Sequence, residues 1–238
     1  MIYAEILAGG KGTRFGSPDL PKQFQMLGSK PIIIHTIDQF LLNPRIEHLL
    51  VGVPKDWMSY TADLLRKYVP EHQRVEIIAG GETRNETIMN AIRHIEAKYG
   101  LTDDDAIVTH DAVRPFVTQR IINDNIDALK DHDAVDTAIP AYDTIIHVDA
   151  DRIITDIPDR KYIQCGQTPQ SFNIRKLVAN YQALTVQEKE ILTDACKICA
   201  LKNDKVLVVA GEPFNIKITT VFDLKMANAI LMERDNDK

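Results

Sequence analysis

The sequence is poor in cysteine, carries no long apolar run and shows no excess of positive charge. Its three cysteines, Cys165, Cys196 and Cys199, make no disulfide framework. Cys196 and Cys199 have C-x-x-C spacing, but no second pair completes a zinc set, so buried thiols are the expectation. No apolar stretch approaches the roughly 18 residues that span a bilayer. The chain enters a strand-like run at Met1 without the pattern of a secretory leader. Cytoplasmic residence and no membrane partner are expected. Lys and Arg number 28 against 34 Asp and Glu, a formal net charge of −6. A nucleic-acid-binding surface normally shows a basic excess, so no nucleic-acid partner is expected. The cations gather instead in a few loops, which points to a small anionic ligand.

Two nucleotide signatures are also missing. No G-x-x-x-x-G-K-[ST] can be aligned. Gly10, Gly12 and Gly16 give G-x-G-x-x-x-G, one residue too long for a dinucleotide fingerprint. The ribose-binding acid of that motif, about twenty residues on, would fall in the middle of a helix. An oxidoreductase on a Rossmann sheet is therefore disfavoured.

What is present is Ile6–Lys22, ILAGGKGTRFGSPDLPK. The apolar run Met1–Ala8 stops at Gly9-Gly10, and Lys11, Arg14 and Lys22 follow. A strand running into glycines leaves bare N–H groups at a sheet end, a nest for anions to which Lys and Arg add charge. The loop reads as a triphosphate cradle; the plainer alternative is a glycine turn with solvated cations.

Short apolar strands then alternate with amphipathic helices. Strands are predicted over Met1–Ala8, His48–Val53, Val75–Ala79, Asp105–Thr109, Asp133–Ile139 and Val206–Val209. Helices are predicted from Pro31 to Leu42, Asp56 to Tyr68, Thr83 to Lys98, Gln119 to Lys130, Asn173 to Leu184, Val186 to Leu201 and Val221 to Met232. Ser29 is expected near the cap of the first. Asn215–Thr219, NIKIT, reads as β-rich, and Tyr162–Phe172 as loop or edge strand. This order implies an α/β, Rossmann-like, mostly parallel sheet in one domain, residues 1–238, with ligands bound beyond the strands' carboxyl ends. Gly9–Lys22, Gly80–Arg84 and His110–Phe116 all fall at that edge.

Between about residues 141 and 163 the rhythm breaks. DTIIHVDADRIITDI reads as two short strands around Asp149-Ala150-Asp151. A lone ribbon is marginal, so this arm is expected to pack on a second subunit in a homodimer; folding back on its own domain is the alternative.

Three further sites stand out. In Gly80–Thr87, Thr83 can cap a helix whose N–H groups face a ligand; an ordinary capped turn is the alternative. Asp111 in HDAVRPF is a lone carboxylate at a strand end, which suits Mg²⁺ with phosphate oxygens and water as its other ligands. His110 has no second histidine at metal spacing and reads as packed; Arg114 either braces Asp111 or meets ligand. Lys217 in NIKIT needs an anionic partner, phosphate or carboxylate. Asp194 is a local cap or a second ligand.

At these residues the chain resembles the sugar-phosphate cytidylyltransferases of the GT-A-like nucleotidyltransferase superfamily. LAGGKGTR with PKQF, GGETRNET, THDAVRPF, GQTPQSF, LTDAC and NIKIT carry the likeness over nearly the whole chain. ILAGG, THDAVRPF and TDACK are closer to the branch acting on D-ribitol 5-phosphate in teichoic acid synthesis than to that acting on 2-C-methyl-D-erythritol 4-phosphate in isoprenoid synthesis. The resemblance implies that Leu7, Ala8, Gly9, Gly10, Gly81, Glu82, Thr83, Arg84, Asn85, Glu86, Thr87 and Ala112 hold CTP. It implies that Arg14 and Lys22 stabilise the transition state, that Arg160 and Lys217 position the polyol phosphate, and that Asp111 binds Mg²⁺.

Overall fold

In the computed structural model, which describes residues 1–10 and 20–236, β1 (Ile2–Leu7) lies in the middle of an eight-stranded sheet. The other strands are β4 (His48–Val53), β5 (Val75–Ala79), β6 (Ala106–Asp111), β7 (Ala134–Pro140), β10 (Gln164–Gly166), β11 (Gln170–Asn173) and β12 (Val206–Ala210). They run in the order β10-β7-β11-β6-β1-β4-β5, with β12 beside β7. β1 pairs in parallel with β4 and β6, and β4 with β5; β10 and β11 run antiparallel to their neighbours. The segment carrying Lys11, Gly12, Arg14 and Gly16 lies outside the described residues.

The period-two alternation of β1 divides the core. Ala4, Ile6 and Ala8 pack with α1 (Ile32–Leu41), α2 (Met58–Tyr68) and α4 (Gln119–Ala128). Tyr3 and Leu7 face the opposite layer, α3 (Arg84–Tyr99), α5 (Ile174–Gln182) and α7 (Cys196–Leu201). A third cluster, including Leu27, Ile32, Phe116 and Ile218, seats α8 (Val221–Asn236) near a small hairpin of β2 (Met26–Leu27) and β3 (Lys30–Pro31). Among the described residues, no helix is long and apolar enough to cross a membrane.

Four expectations require correction. The helix expected over Val186–Leu201 is two, α6 (Val186–Glu190) and α7. Between them Asp194 accepts the Cys196 N–H at 2.8 Å, a local bond that competes with helix continuation. NIKIT is not a strand but a segment held by tertiary bonds, Asn215 Nδ2 to the Thr168 carbonyl and the Ile218 N–H to the Val113 carbonyl. β11 lies between β6 and β7 rather than at an edge. Its polar side chains tolerate burial because their donors are paired: Gln170 Nε2 donates to Asp136 and Asp194, and Ser171 donates to Asn125, while Gln170 Oε1 has no partner among the described residues. Ser29 makes no cap; Pro31 takes the N-cap position of α1 without a side-chain bond.

The arm forms as two short strands, β8 (His147–Val148) and β9 (Ile154–Asp156). Tyr142, Ile146, Val148, Ile153, Ile154, Ile157 and Tyr162 are all exposed along it.

Candidate active site

The carboxyl ends of β1, β4, β5 and β6 open onto a cavity of about 1290 Å³. Leu7, Ala8, Gly9 and Gly10 form one wall, and Gly81, Glu82, Thr83, Arg84, Glu86 and Thr87 another; Lys22, Asp111, Ala112 and Lys217 complete it. Three loops far apart in sequence therefore share one hollow. Asn85 is buried and does not line it. Arg160 is also elsewhere, at the root of the arm, where Nη1 donates to the Tyr142 carbonyl at 2.8 Å. Arg14 lies outside the described residues.

The second wall is rigid before any ligand arrives. Thr83 caps α3 by accepting the Glu86 N–H at 3.1 Å, and Glu86 Oε2 accepts the N–H groups of Thr83 and Glu82 at 3.1 and 2.8 Å. The Gly81 N–H is taken by Thr87 Oγ1 at 3.0 Å. A side chain at Gly81 would run into Glu86, so glycine is required for this close approach. On the first wall, buried Gln23 donates to the Ala8 carbonyl at 2.7 Å and ties the end of β1 to the turn carrying Lys22.

Asp111 ends β6 rather than following it, in register with Leu7. Its carboxylate meets Lys217 Nζ at 2.8 Å, Arg84 Nε at 3.5 Å and Arg114 Nε at 3.6 Å. Burial alone would raise its pKa; Arg84, Lys217 and Arg114 outweigh burial and hold it well below the usual carboxylate range. Arg114 is itself anchored, donating to the Asn215 carbonyl at 2.7 Å. His110 is buried, and burial pushes its pKa down to about 4. Its Nε2 lies 3.0 Å from the Arg114 carbonyl, which can only accept. That assigns the proton to Nε2 and leaves Nδ1 to accept from Thr168 Oγ1 at 2.9 Å. Thr168 in turn accepts the Asp111 N–H. A neutral, fully engaged imidazole is scaffolding for Asp111, not a proton carrier.

The donor set suits Mg²⁺. Asp111 offers a hard, ionised oxygen beside cations positioned for a polyphosphate, and a magnesium ion needs one or two carboxylates when phosphate and water supply the rest. Among the described residues, buried Arg84 Nη1 and Nη2 find no hydrogen-bond partner. Asp194 lies in a different cluster: its ligand atoms and those of Asp136 and Cys196 are within 4.8 Å of one another, and the Gln170 amide holds both carboxylates. Cys196 and Cys199 are buried free thiols.

Further cavity residues escaped the sequence reading: Gln23, Pro54, Lys55, Met89, Asn90, Arg93 and Tyr181. The α3 members were accessible in principle. Glu86, Met89, Asn90 and Arg93 repeat at three and four, so they extend the Thr83 face along the helix. Tyr181, on α5, has no local signal that places it here.

Known proteins resemble this chain over nearly its whole length. A ribitol-5-phosphate cytidylyltransferase of Lactiplantibacillus plantarum is 53% identical over 234 residues, covering 98% of this chain and 100% of that protein. The solved 2-C-methyl-D-erythritol 4-phosphate cytidylyltransferase (IspD) of Francisella tularensis superposes with a TM-score of 0.79 at 28% identity, covering 96% of this chain and 98% of that one. The 4-diphosphocytidyl-2C-methyl-D-erythritol synthase of Anaerococcus prevotii gives 0.78 at 28% identity, with 97% and 98% covered. The family model described as IspD, 2-C-methyl-D-erythritol 4-phosphate cytidylyltransferase, matches residues 2–233, and the chain belongs to this cytidylyltransferase family.

Proposed function

We propose that the protein transfers the cytidylyl group of CTP to D-ribitol 5-phosphate, giving CDP-ribitol and pyrophosphate for poly(ribitol phosphate) teichoic acid synthesis. The observation that carries the choice of acceptor is the 53% identity, end to end, with a ribitol-5-phosphate cytidylyltransferase, against 28% with the two methylerythritol enzymes described above.

The chemistry follows from charge. A phosphate monoester has a second pKa of about 6, so the acceptor arrives at pH 7 largely as a dianion and needs no base. One of its oxygens attacks the α-phosphorus of CTP in line, the bond to the β-phosphate oxygen breaks, and pyrophosphate leaves with that electron pair. The obstacle is bringing two anions together and stabilising the leaving group. In this reading Lys22 and Arg14 stabilise the charge that builds up in the transition state. Lys217, beside Asp111, positions the incoming phosphate. The walls at Leu7–Gly10 and Gly81–Thr87, with Ala112, hold the nucleotide. Asp111 would hold Mg²⁺, which neutralises phosphate charge when bound. Buried, neutral His110 fits a site that transfers no proton.

The exposed apolar arm supports a homodimer, in which Arg160 would reach the acceptor phosphate of the neighbouring subunit. Incubation with CTP and Mg²⁺, with ribitol 5-phosphate in one tube and methylerythritol 4-phosphate in another, tests the assignment. Pyrophosphate release in the first tube is expected; release in the second tube alone would overturn it.

A further inference from the structure

Asp111 has a difficulty as a metal ligand: three cations already occupy it. Two stand on Oδ2: Lys217 Nζ lies 2.8 Å from it, and Arg114, anchored on the Asn215 carbonyl, brings Nε to 3.6 Å. The third stands on Oδ1. Arg84 reaches it with Nε at 3.5 Å, and its terminal nitrogens are buried without a hydrogen-bond partner among the described residues.

A matching vacancy of partners lies beneath it. Glu5 is fully buried in the middle of β1, and both its carboxylate oxygens lack a hydrogen-bond partner among the described residues. A Cβ placed on Gly52 would come within 3.0 Å of Glu5 Oε1 and would also strike the Thr87 methyl. The carboxylate therefore sits under the first turn of α3, the turn that opens with Arg84. Leu7 pairs with Asp111 and Glu5 with Thr109, so Glu5 and Asp111 share one sheet face, about 7 Å apart along the strand direction. Among the described residues, Arg84 is the charge that acts on Glu5. Orphaned donors and orphaned acceptors thus lie on one sheet face near the first turn of α3, with no bond between them. Burying an ionised carboxylate unpaired is costly, so Glu5 holds a proton in this arrangement, and pairing with a guanidinium would release that proton to solvent.

We infer that Glu5 is a positioning residue that receives the Arg84 guanidinium, giving up its proton to solvent, when Asp111 takes up magnesium. Arg84 then exchanges one carboxylate for another, and the oxygen it leaves, Asp111 Oδ1, becomes free for the ion. The inference rests on the assignment of Asp111 as the metal ligand. It gives Arg84 a side-chain role separate from the nucleotide contacts of its loop.

The test titrates enzyme, without acceptor, with CTP plus Mn²⁺ and separately with CTP plus EDTA. The ratio of the two affinities measures the metal contact, whatever happens to nucleotide binding alone. Loss of a group supporting a metal ligand typically costs 10–100-fold in metal affinity. Glu5→Leu is therefore expected to lower the ratio about tenfold with metal-free CTP affinity unchanged, and Glu5→Gln, which keeps an acceptor for Arg84, to restore most of it. Arg84→Gln removes the competitor, so its ratio is expected to equal or exceed wild type, and Glu5→Leu added to it should change nothing. A wild-type ratio in Glu5→Leu overturns the inference. So does a fall in Arg84→Gln, which also decides the matter if Glu5→Leu does not fold. Asp111→Asn separates the underlying reading: if it leaves the ratio intact, Asp111 is not the metal ligand and the exchange falls with it.

Discussion

Lys217 Nζ lies 2.8 Å from Asp111 Oδ2, joining the segment before the last helix to the end of a central strand more than a hundred residues earlier. The pair is only partly sealed, since Lys217 is 41% exposed at its side chain while Asp111 is 10% exposed. One partner is fixed in the protein and the other reaches into the cavity. Lys217→Met is expected to lower turnover by about 10²-fold, as loss of one preorganised charge does elsewhere. Lys217→Arg should restore part of it. Pyrophosphate release with circular dichroism as a folding control checks both.

Lys22 is placed by the turn that Gln23 ties to β1, so its removal should leave the fold intact. Lys22→Ala is expected to reduce turnover by about 10²–10³-fold in a protein that still folds. Normal turnover in this variant would refute its proposed role.

Glu5 predicts a pH dependence of stability. Burial raises its pKa from an ordinary 4.5 to about 8, against the lowering effect of Arg84. Between these values the folded state holds a proton that the unfolded state has released. Stability from this group therefore falls as pH rises from about 4.5 to about 8. Glu5→Gln should flatten that part of the profile and match or exceed wild-type stability at pH 8. Denaturant melts at a series of pH values would show it; a wild-type slope in the variant would remove the cause.

Thr168 bonds both His110 and the Asp111 backbone inside the protein. Thr168→Val keeps the shape and leaves both groups unpaired. A loss of about 1–3 kcal/mol in urea unfolding is expected, the usual cost of stranding buried polar groups.

The arm predicts an oligomeric change. Ile154 is 53% exposed on β9, and Ile153 and Ile157 are exposed beside it. Ile154→Asp is expected to convert a dimer to monomer in analytical ultracentrifugation at micromolar concentration. A wild-type protein that is already monomeric there would remove the proposed interface.

Local pattern determined much of this protein. Continuous apolar runs marked the parallel strands, and four- and three-residue spacing marked the helices, because those periods follow from backbone geometry alone. Thr83 announced the start of α3 as a cap that needs only neighbouring residues. The three loops at one sheet end followed from the same alternation.

Tertiary structure decided what depended on distant partners. Gln170 and Ser171 read as edge residues because their polarity was visible and their acceptors, on β7, α4 and the Asp194 turn, were not. NIKIT read as a strand because its apolar residues alternate, yet Val113 and Thr168 supply its bonds. Asp111 could be nominated from its place after a strand, but not the three cations around it, which come from α3, the loop after β6 and the segment before α8. A sequence records which groups carry charge; only the folded chain sets the distances over which those charges act.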